Sequence, residues 1–312
     1  MKSERTHPTK REAGTGEGLL SIGGVAEATG ISVHTLRVWE RRYGRPMARR
    51  LPSGHRRYEK SQVRYLRRIA EAIARGHRPS DLLHRSEAEL DCIIADSRGD
   101  RVDPRTESLL SFVREFRRVE LTEALRKDWQ ELDPTTFLET RVVSLIRSVG
   151  RLWADGELEI RHEHFLTEVL GDVIRSLRMA LPDAPTSWAA VLATLSGERH
   201  DLALQMLALL SSLAGASTHI LGADTPVNEI VRMQQETQAQ AIIVSVSLAT
   251  GGVETDRQLA ALRKKLPADV HLIVGGAGSR GPRRGPRGID YVDDLRAFSA
   301  WLEQGRQEGA AR

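Results

Sequence analysis

The chain has 312 residues, 40% hydrophobic and 28% charged, with a net charge of +4; that is room for two or three domains, and without an apolar run near the ~18 residues of a membrane helix a soluble, cytoplasmic protein with no membrane partner is expected. A single cysteine, Cys92, excludes a disulfide framework and a thiolate metal centre. The small net charge conceals an asymmetry, because Arg37 to Arg78 holds fourteen Arg and Lys against three Glu, a density that points to phosphate.

Residues 1–18 are polar and aperiodic and are expected to form a disordered tail. A first domain is expected over 19–86. Ser21 caps a short helix closed by Gly30, and Ser32 caps a second over Val33–Tyr43. Two short helices across a glycine turn predict a helix-turn-helix whose second helix enters the major groove of double-stranded DNA. Its outward residues, His34, Thr35, Arg37, Arg41, Arg42 and Tyr43, are the expected DNA contacts, while Leu36, Val38 and Trp39 pack inward. A basic, Gly- and Pro-punctuated hairpin follows. It ends in His55, Arg56, Arg57 and Tyr58, a wing able to grip the backbone beside the groove. Helices are predicted over Ser61–Arg75 and Pro79–Arg85.

The run Leu36-Arg37-Val38-Trp39-Glu40-Arg41-Arg42-Tyr43-Gly44, followed by Gly54-His55-Arg56-Arg57-Tyr58, resembles the winged helix-turn-helix of the MerR family of transcription regulators. The resemblance implies a sequence-specific regulator, a repressor, acting on an operator. Metal-sensing members join this domain to a long dimerisation helix and a cysteine-bearing loop. Neither is recognisable here, and Cys92 reads as a buried small hydrophobe or an inert linker residue.

A linker is expected over 87–104. Four amphipathic helices follow, Arg105–Arg117, Val119–Glu131, Pro134–Asp155 and Arg161–Leu181, which predict a four-helix bundle over 105–182. From 187 to 304, apolar runs at Trp188–Leu195, Thr218–Leu221, Ala241–Leu248, Val270–Val274 and Ile289–Val292 alternate with helical stretches. Alternation of this kind predicts a flavodoxin-like (Rossmann-like) α/β domain with five parallel strands. The whole is then multidomain: a mostly α winged helix-turn-helix, a central bundle and a C-terminal α/β sheet. His200, Ser245 and Gly275 fall at the carboxyl ends of strands, where such sheets bind ligands.

Glu198-x-His200-x-x-Ala203, then 41 residues, then Ser245-x-Ser247, and finally Gly275-Gly276 resembles the cobalamin-binding signature Asp-x-His-x-x-Gly, Ser-x-Leu, Gly-Gly. That resemblance implies His200 as the lower axial ligand on the cobalt of cobalamin and Glu198 as the carboxylate that fixes its tautomer. Ser245, with Ser247 beside it, would meet the base of the cofactor's nucleotide tail, and Gly275 and Gly276 would line the tail groove. Trp153, nine intervening residues, then Glu163-His164 resembles the CarH/LitR-type MerR regulators, which use adenosylcobalamin as a light sensor. Here the resemblance implies Trp153 over the upper face of the corrin, Glu163 and His164 against the cofactor, and operator binding controlled through a homo-oligomer, dimer or tetramer.

Beside the chemically mild exchange of Glu198 for Asp, three positions depart from these patterns: Ala203 for Gly, Ser247 for Leu, and Ala154 where the photoreceptors carry a second histidine ligand. They leave open a regulator of the same architecture that holds no cobalamin, answering instead to a regulatory protein or to another tetrapyrrole such as haem. His162 and His164 are other candidate donors to cobalt. No Ser/His/Asp nucleophile motif, phosphate loop or catalytic barrel is recognisable, so enzymatic activity is not expected.

Overall fold

The computed structural model describes residues 19–52, 54–74, 77, 79–96, 103–181, 188–247, 250–279, 281 and 285–310. The expected tail at 1–18 and residues 97–102 of the expected linker lie outside them. The chain divides into two units, Met1–Leu66 and Arg67–Arg312.

The first unit runs β1 (Leu19–Leu20), α1 (Ile22–Thr29), α2 (Val33–Tyr43), β2 (Arg49–Arg50), β3 (Arg56–Glu59) and the start of α3 (Ser61–Ala74). Caps set the helix ends: Ser21 Oγ accepts from Gly24 N–H, Ser32 Oγ from Thr35 N–H, and Gly30 and Gly44 close α1 and α2 in the left-handed conformation that glycine adopts without strain. The hairpin β2–β3 is joined by β1 in an antiparallel sheet of order β1-β3-β2, with Leu20 opposite Tyr58. That third strand is not apparent in the sequence.

The second unit begins at Arg67, within α3. Next come α4 (Pro79–Leu82) and α5 (Glu87–Asp96). The latter occupies much of the stretch expected as linker; Leu90 and Ile94, one turn apart and both buried, give it an apolar face. Four helical rods form the bundle: α6 (Pro104–Arg114), α7 (Arg118–Glu131), a third in which α8 (Pro134–Phe137) passes through a π-helical segment, Leu138–Val143, into α9 (Ser144–Asp155), and α10 (Ile160–Met179). Asp103 and Asp133, each followed by proline, cap α6 and α8.

The remaining elements alternate: β4 (Ala189–Leu195), α11 (Leu202–Leu213), β5 (Ser217–Thr225), α12 (Val227–Thr237), β6 (Ala241–Ser245), α13 (Val253–Lys265), β7 (His271–Gly275), β8 (Asp290–Val292) and α14 (Leu295–Ala310). The sheet is parallel throughout, in the order β5-β4-β6-β7-β8. Strand order therefore reverses between β4 and β6, and the loops leaving their carboxyl ends diverge around a crevice. β5 is longer than expected, and β6 ends at Ser245 rather than 248.

Side chains alternate across the sheet. Val191, Ala193, Ile242 and Val244 face one core with Leu259 and Leu262 of α13. Ala190, Leu192, Ala241 and Ile243 face another, continuous with Leu204 and Leu209 of α11, Phe298 of α14, and Val142, Leu166 and Ile174 of the bundle. Bundle and sheet thus share one core. Thr135 and Ser299 hydroxyls, 3.0 Å apart, and an Arg296–Glu139 ion pair of 2.6 Å join the same elements. Phe298→Ala is expected to cost about 3–5 kcal/mol and to lower the stability of bundle and sheet together; chemical denaturation followed by circular dichroism should keep a single shared transition for these two elements.

Candidate functional site

The first unit presents a basic face. On α2, His34, Arg37, Arg41 and Arg42 are exposed, and on the wing so are Arg49, Arg50, His55 and Arg56. Two expected contacts are already engaged: the Thr35 hydroxyl lies 2.8 Å from Ser32 Oγ in the helix cap, and Arg56 pairs with Glu40 at 3.1 Å. Tyr43 is half-buried beneath Arg42, whose guanidinium sits 5.3 Å from the ring centre, and Arg57 is half-buried as well. Tyr58 does not belong with them. Its side chain is 2% exposed, and burial, reinforced by the Glu40 carboxylate, raises its pKa. It is expected among the wing's DNA contacts, but alternation along β3 turns residue 58 inward while Arg56 and Glu59 are exposed.

The second site lies at the carboxyl ends of β4 and β6. The turn after β4 is pinned by Thr194 Oγ1 donating to the Glu198 carbonyl at 2.7 Å, by Asp224 N–H donating to the same oxygen at 2.8 Å, and by Gly197 N–H donating to the Asp224 carboxylate at 2.7 Å. Held there, the Glu198 side chain is 3% exposed. Its Oε1 accepts the main-chain N–H of His200 at 2.9 Å and lies 2.6 Å from His200 Nδ1; its Oε2 accepts from Ser247 N–H at 2.8 Å and from the Thr250 hydroxyl. Burial alone would raise the pKa of this carboxyl, but the donors from His200, Ser247 and Thr250 overcome it and hold the group well below the usual carboxylate range.

His200 is the outward end of this network. With Nδ1 against the carboxylate, the proton belongs on that nitrogen and Nε2 is the one able to bind a metal. The side chain is 66% exposed. Its pKa is raised, first by the hydrogen bond to Glu198 and against desolvation, with Glu163 on α10 and Asp201 adding to the field. Glu163 of the bundle therefore acts electrostatically on the rim of the sheet.

Ser245 ends β6 opposite Gly275 and is buried. The Ser247 hydroxyl is buried with no hydrogen-bond partner among the described residues. At Gly276, φ is +98° and a Cβ would run into the Val246 carbonyl; at Gly275 a Cβ would stand 2.9 Å from a Val292 methyl. Both positions need glycine because neighbouring chain comes close, the loop after β6 lying against the loop after β7. Ala203 packs against the shared core.

On the bundle, Glu163 and His164 are exposed, 3.6 Å apart. Trp153, in the last turn of α9, is half-buried, its indole N–H enclosed and without an acceptor among the described residues. Ala154 is 1% exposed. His162 is buried; its Nδ1 accepts from Glu159 N–H at 3.0 Å and its ring stacks on Phe116 at 4.7 Å, which uses it structurally and removes it as a donor to cobalt. Thr250 was not apparent in the sequence. It meets Glu198 from 52 residues away, and its only local signal is a hydroxyl in the loop after a strand.

Residues 20–82 match the MerR HTH family regulatory protein, and residues 106–178 and 188–293 each match a B12 binding domain. The HTH-type transcriptional repressor CarA of Myxococcus xanthus is 30% identical over 84% of this chain and 88% of its own. The chain belongs to the MerR-family transcription regulators of the CarH/LitR type. A second member, the HTH-type transcriptional repressor CarH of the same organism, is 27% identical over 82% of this chain and 88% of its own. The structure of the Methanosarcina barkeri monomethylamine corrinoid protein superposes on 63% of the regulator and 96% of its own chain, with a TM-score of 0.52 at 14% identity, a likeness of fold. The regulator is a DNA-binding protein built with two cobalamin-binding modules. Among the described residues no helix is long and apolar enough to cross a membrane.

The two charges of the rim carry opposite pH dependences. Because the His200 pKa is raised on folding, its contribution to stability is present below the ordinary histidine value and is lost as pH rises through the folded value. That of Glu198, depressed, is present above the ordinary glutamate value and lost as pH falls through the folded one. Glu198→Gln is expected to move the His200 titration midpoint downward, measured by NMR of the imidazole; an unmoved midpoint would remove Glu198 as the cause.

Proposed function

We propose that this chain is a cytoplasmic repressor that binds cobalamin, as adenosylcobalamin, at the rim of the parallel sheet, and that cofactor and light control its assembly as a dimer or tetramer and its grip on an operator. The observation that carries this reading is the exposed His200 imidazole, its Nδ1 tied to a buried carboxylate at the switch point of the sheet. His200 Nε2 would bind the cobalt, and Glu198 would hold the tautomer that makes this possible. Among the described residues no group of three or more His, Cys, Asp and Glu could hold a bare metal ion, which suits a metal that arrives with an equatorial macrocycle. The orphaned Ser247 hydroxyl offers the tail's base a partner beside Ser245, and Trp153, Glu163 and His164 would meet the upper face. When bound, adenosylcobalamin supplies a cobalt–carbon bond that visible light breaks.

On the DNA side, Arg37, Arg41 and Arg42 of α2 and Arg49, Arg50 and Arg56 of the wing would neutralise phosphates, while His34 at the start of α2 reaches toward bases. Paired copies on a repeated operator would multiply weak contacts through effective concentration. Operator affinity is expected to fall steeply with salt, and Arg37→Ala should reduce the slope of log K against log salt by about 1. Gel shifts over a salt series measure it.

The reading is tested by mixing the purified protein with adenosylcobalamin in darkness, desalting, and recording its absorption spectrum before and after illumination. Retained colour that His200→Ala weakens, with a spectral change in light and an operator affinity that differs with and without cofactor, is expected. A colourless desalted protein would overturn it. Ala203, Ser247 and Ala154 favour one other reading, a cofactor-free regulator controlled by a protein partner, which that outcome would support.

A further inference from the structure

Arg67 of α3 makes two contacts with Trp153. Its guanidinium carbon stands 4.7 Å from the centre of the indole, and Nη1 donates to the Trp153 carbonyl at 3.2 Å. Its neighbour Arg68 pairs with Asp155 at 2.8 Å and with Asp91 of α5 at 3.0 Å. Two consecutive basic residues on one helix therefore hold the last turn of α9. Burial lowers the Arg67 pKa, so this guanidinium has given up part of its hydration at the indole. Among the described residues the indole N–H has no acceptor, and the guanidinium over its ring is the polar group the indole meets.

We propose that Arg67 is a positioning residue for Trp153, and that α3, which starts in the DNA-binding unit at Ser61, couples cofactor binding to operator binding through the Arg67–Trp153 contact. The inference rests on the cobalamin reading above. It follows from reciprocity: if the cofactor favours one placement of the ring, and that placement favours one state of the helix leading from the DNA-binding unit, each ligand changes the affinity of the other by the same factor. A planar cation over an indole, partly removed from water, has enough interaction energy to carry such a bias.

The test compares the full-length protein with Arg67→Ala, Trp153→Leu and the double variant, measuring operator affinity with and without adenosylcobalamin in darkness at one salt concentration and the corrinoid retained after desalting. In Arg67→Ala the ratio of the two affinities is expected to move toward one by about fivefold, with cofactor-free operator affinity unchanged and corrinoid still retained. The double variant is expected to match Trp153→Leu alone, because Arg67 acts through the ring. In the cofactor-free protein, exchange of the Trp153 indole proton, followed by NMR, should accelerate in Arg67→Ala. Arg67→Met, which keeps the stem and loses the charge, replaces Arg67→Ala should the latter not fold. A wild-type ratio in the Arg67 variants overturns the proposal and leaves the cobalamin reading standing, as does an equal loss of operator affinity in both states, which would make Arg67 a DNA contact. A wild-type protein that retains no corrinoid, or whose ratio is one, overturns the cobalamin reading and this inference with it.

Discussion

The Glu198 carboxylate is nearly excluded from water, yet it accepts four hydrogen bonds drawn from the turn after β4 and the loop after β6. A buried charge is tolerable only while its partners stay in place, and removing one leaves a penalty of several kcal/mol. The two loops flanking the switch point are therefore not independent. What happens at His200 Nδ1 is felt at Ser247 and Thr250, because all three compete for the same two oxygens. The crevice of the sheet is in this sense built around one anion, and the orientation of the imidazole follows from it.

The shared core limits how the bundle can respond. Val142, Leu166 and Ile174 lie in one cluster with Leu192, Leu204 and Phe298, and re-exposing each large apolar side chain costs about 1.5–3 kcal/mol. A bundle that swung away from the sheet would lose many of these together. Movements of the bundle that keep this core intact are therefore small ones, at the ends of α9 and α10. Ala154 fits this picture, since a side chain buried to this degree has no room for a larger residue without moving its neighbours.

Much of the fold is legible in the sequence because it follows from local chemistry. Ser21, Ser32, Asp103 and Asp133 stop and start helices by capping, and apolar runs alternating with helical periods leave few options besides a parallel sheet. His200 and Glu198 could be read because two residues in one turn meet whatever the rest of the chain does. Tyr58 could not, since a four-residue strand beside a basic loop carries too short a pattern to show which face is inward. Thr250 and Arg67 depend on contacts 52 and 86 residues distant, for which a single sequence contains no signal. The close approach of the Val246 carbonyl to Gly276 also joins residues far apart in the chain and has no signal in a single sequence. The joining of bundle and sheet into one core was likewise hidden, because amphipathic periodicity reveals that a helix has an apolar face but not what covers it.

The π-helical segment Leu138–Val143 lies within the rod whose last turn carries Trp153. Such a segment is the form a helix takes when it has absorbed one residue more than its turns require, and it keeps the faces on either side in phase. Each residue of a regular helix turns the chain by about 100°, so a single insertion or deletion elsewhere in the rod would swing the indole away from its present direction. Within Leu138–Val143 one residue can be removed and the segment relaxes to an ordinary helix with both flanks unturned. The rod thus contains its own length adjustment, and related chains are expected to differ by one residue there while keeping the tryptophan aimed alike.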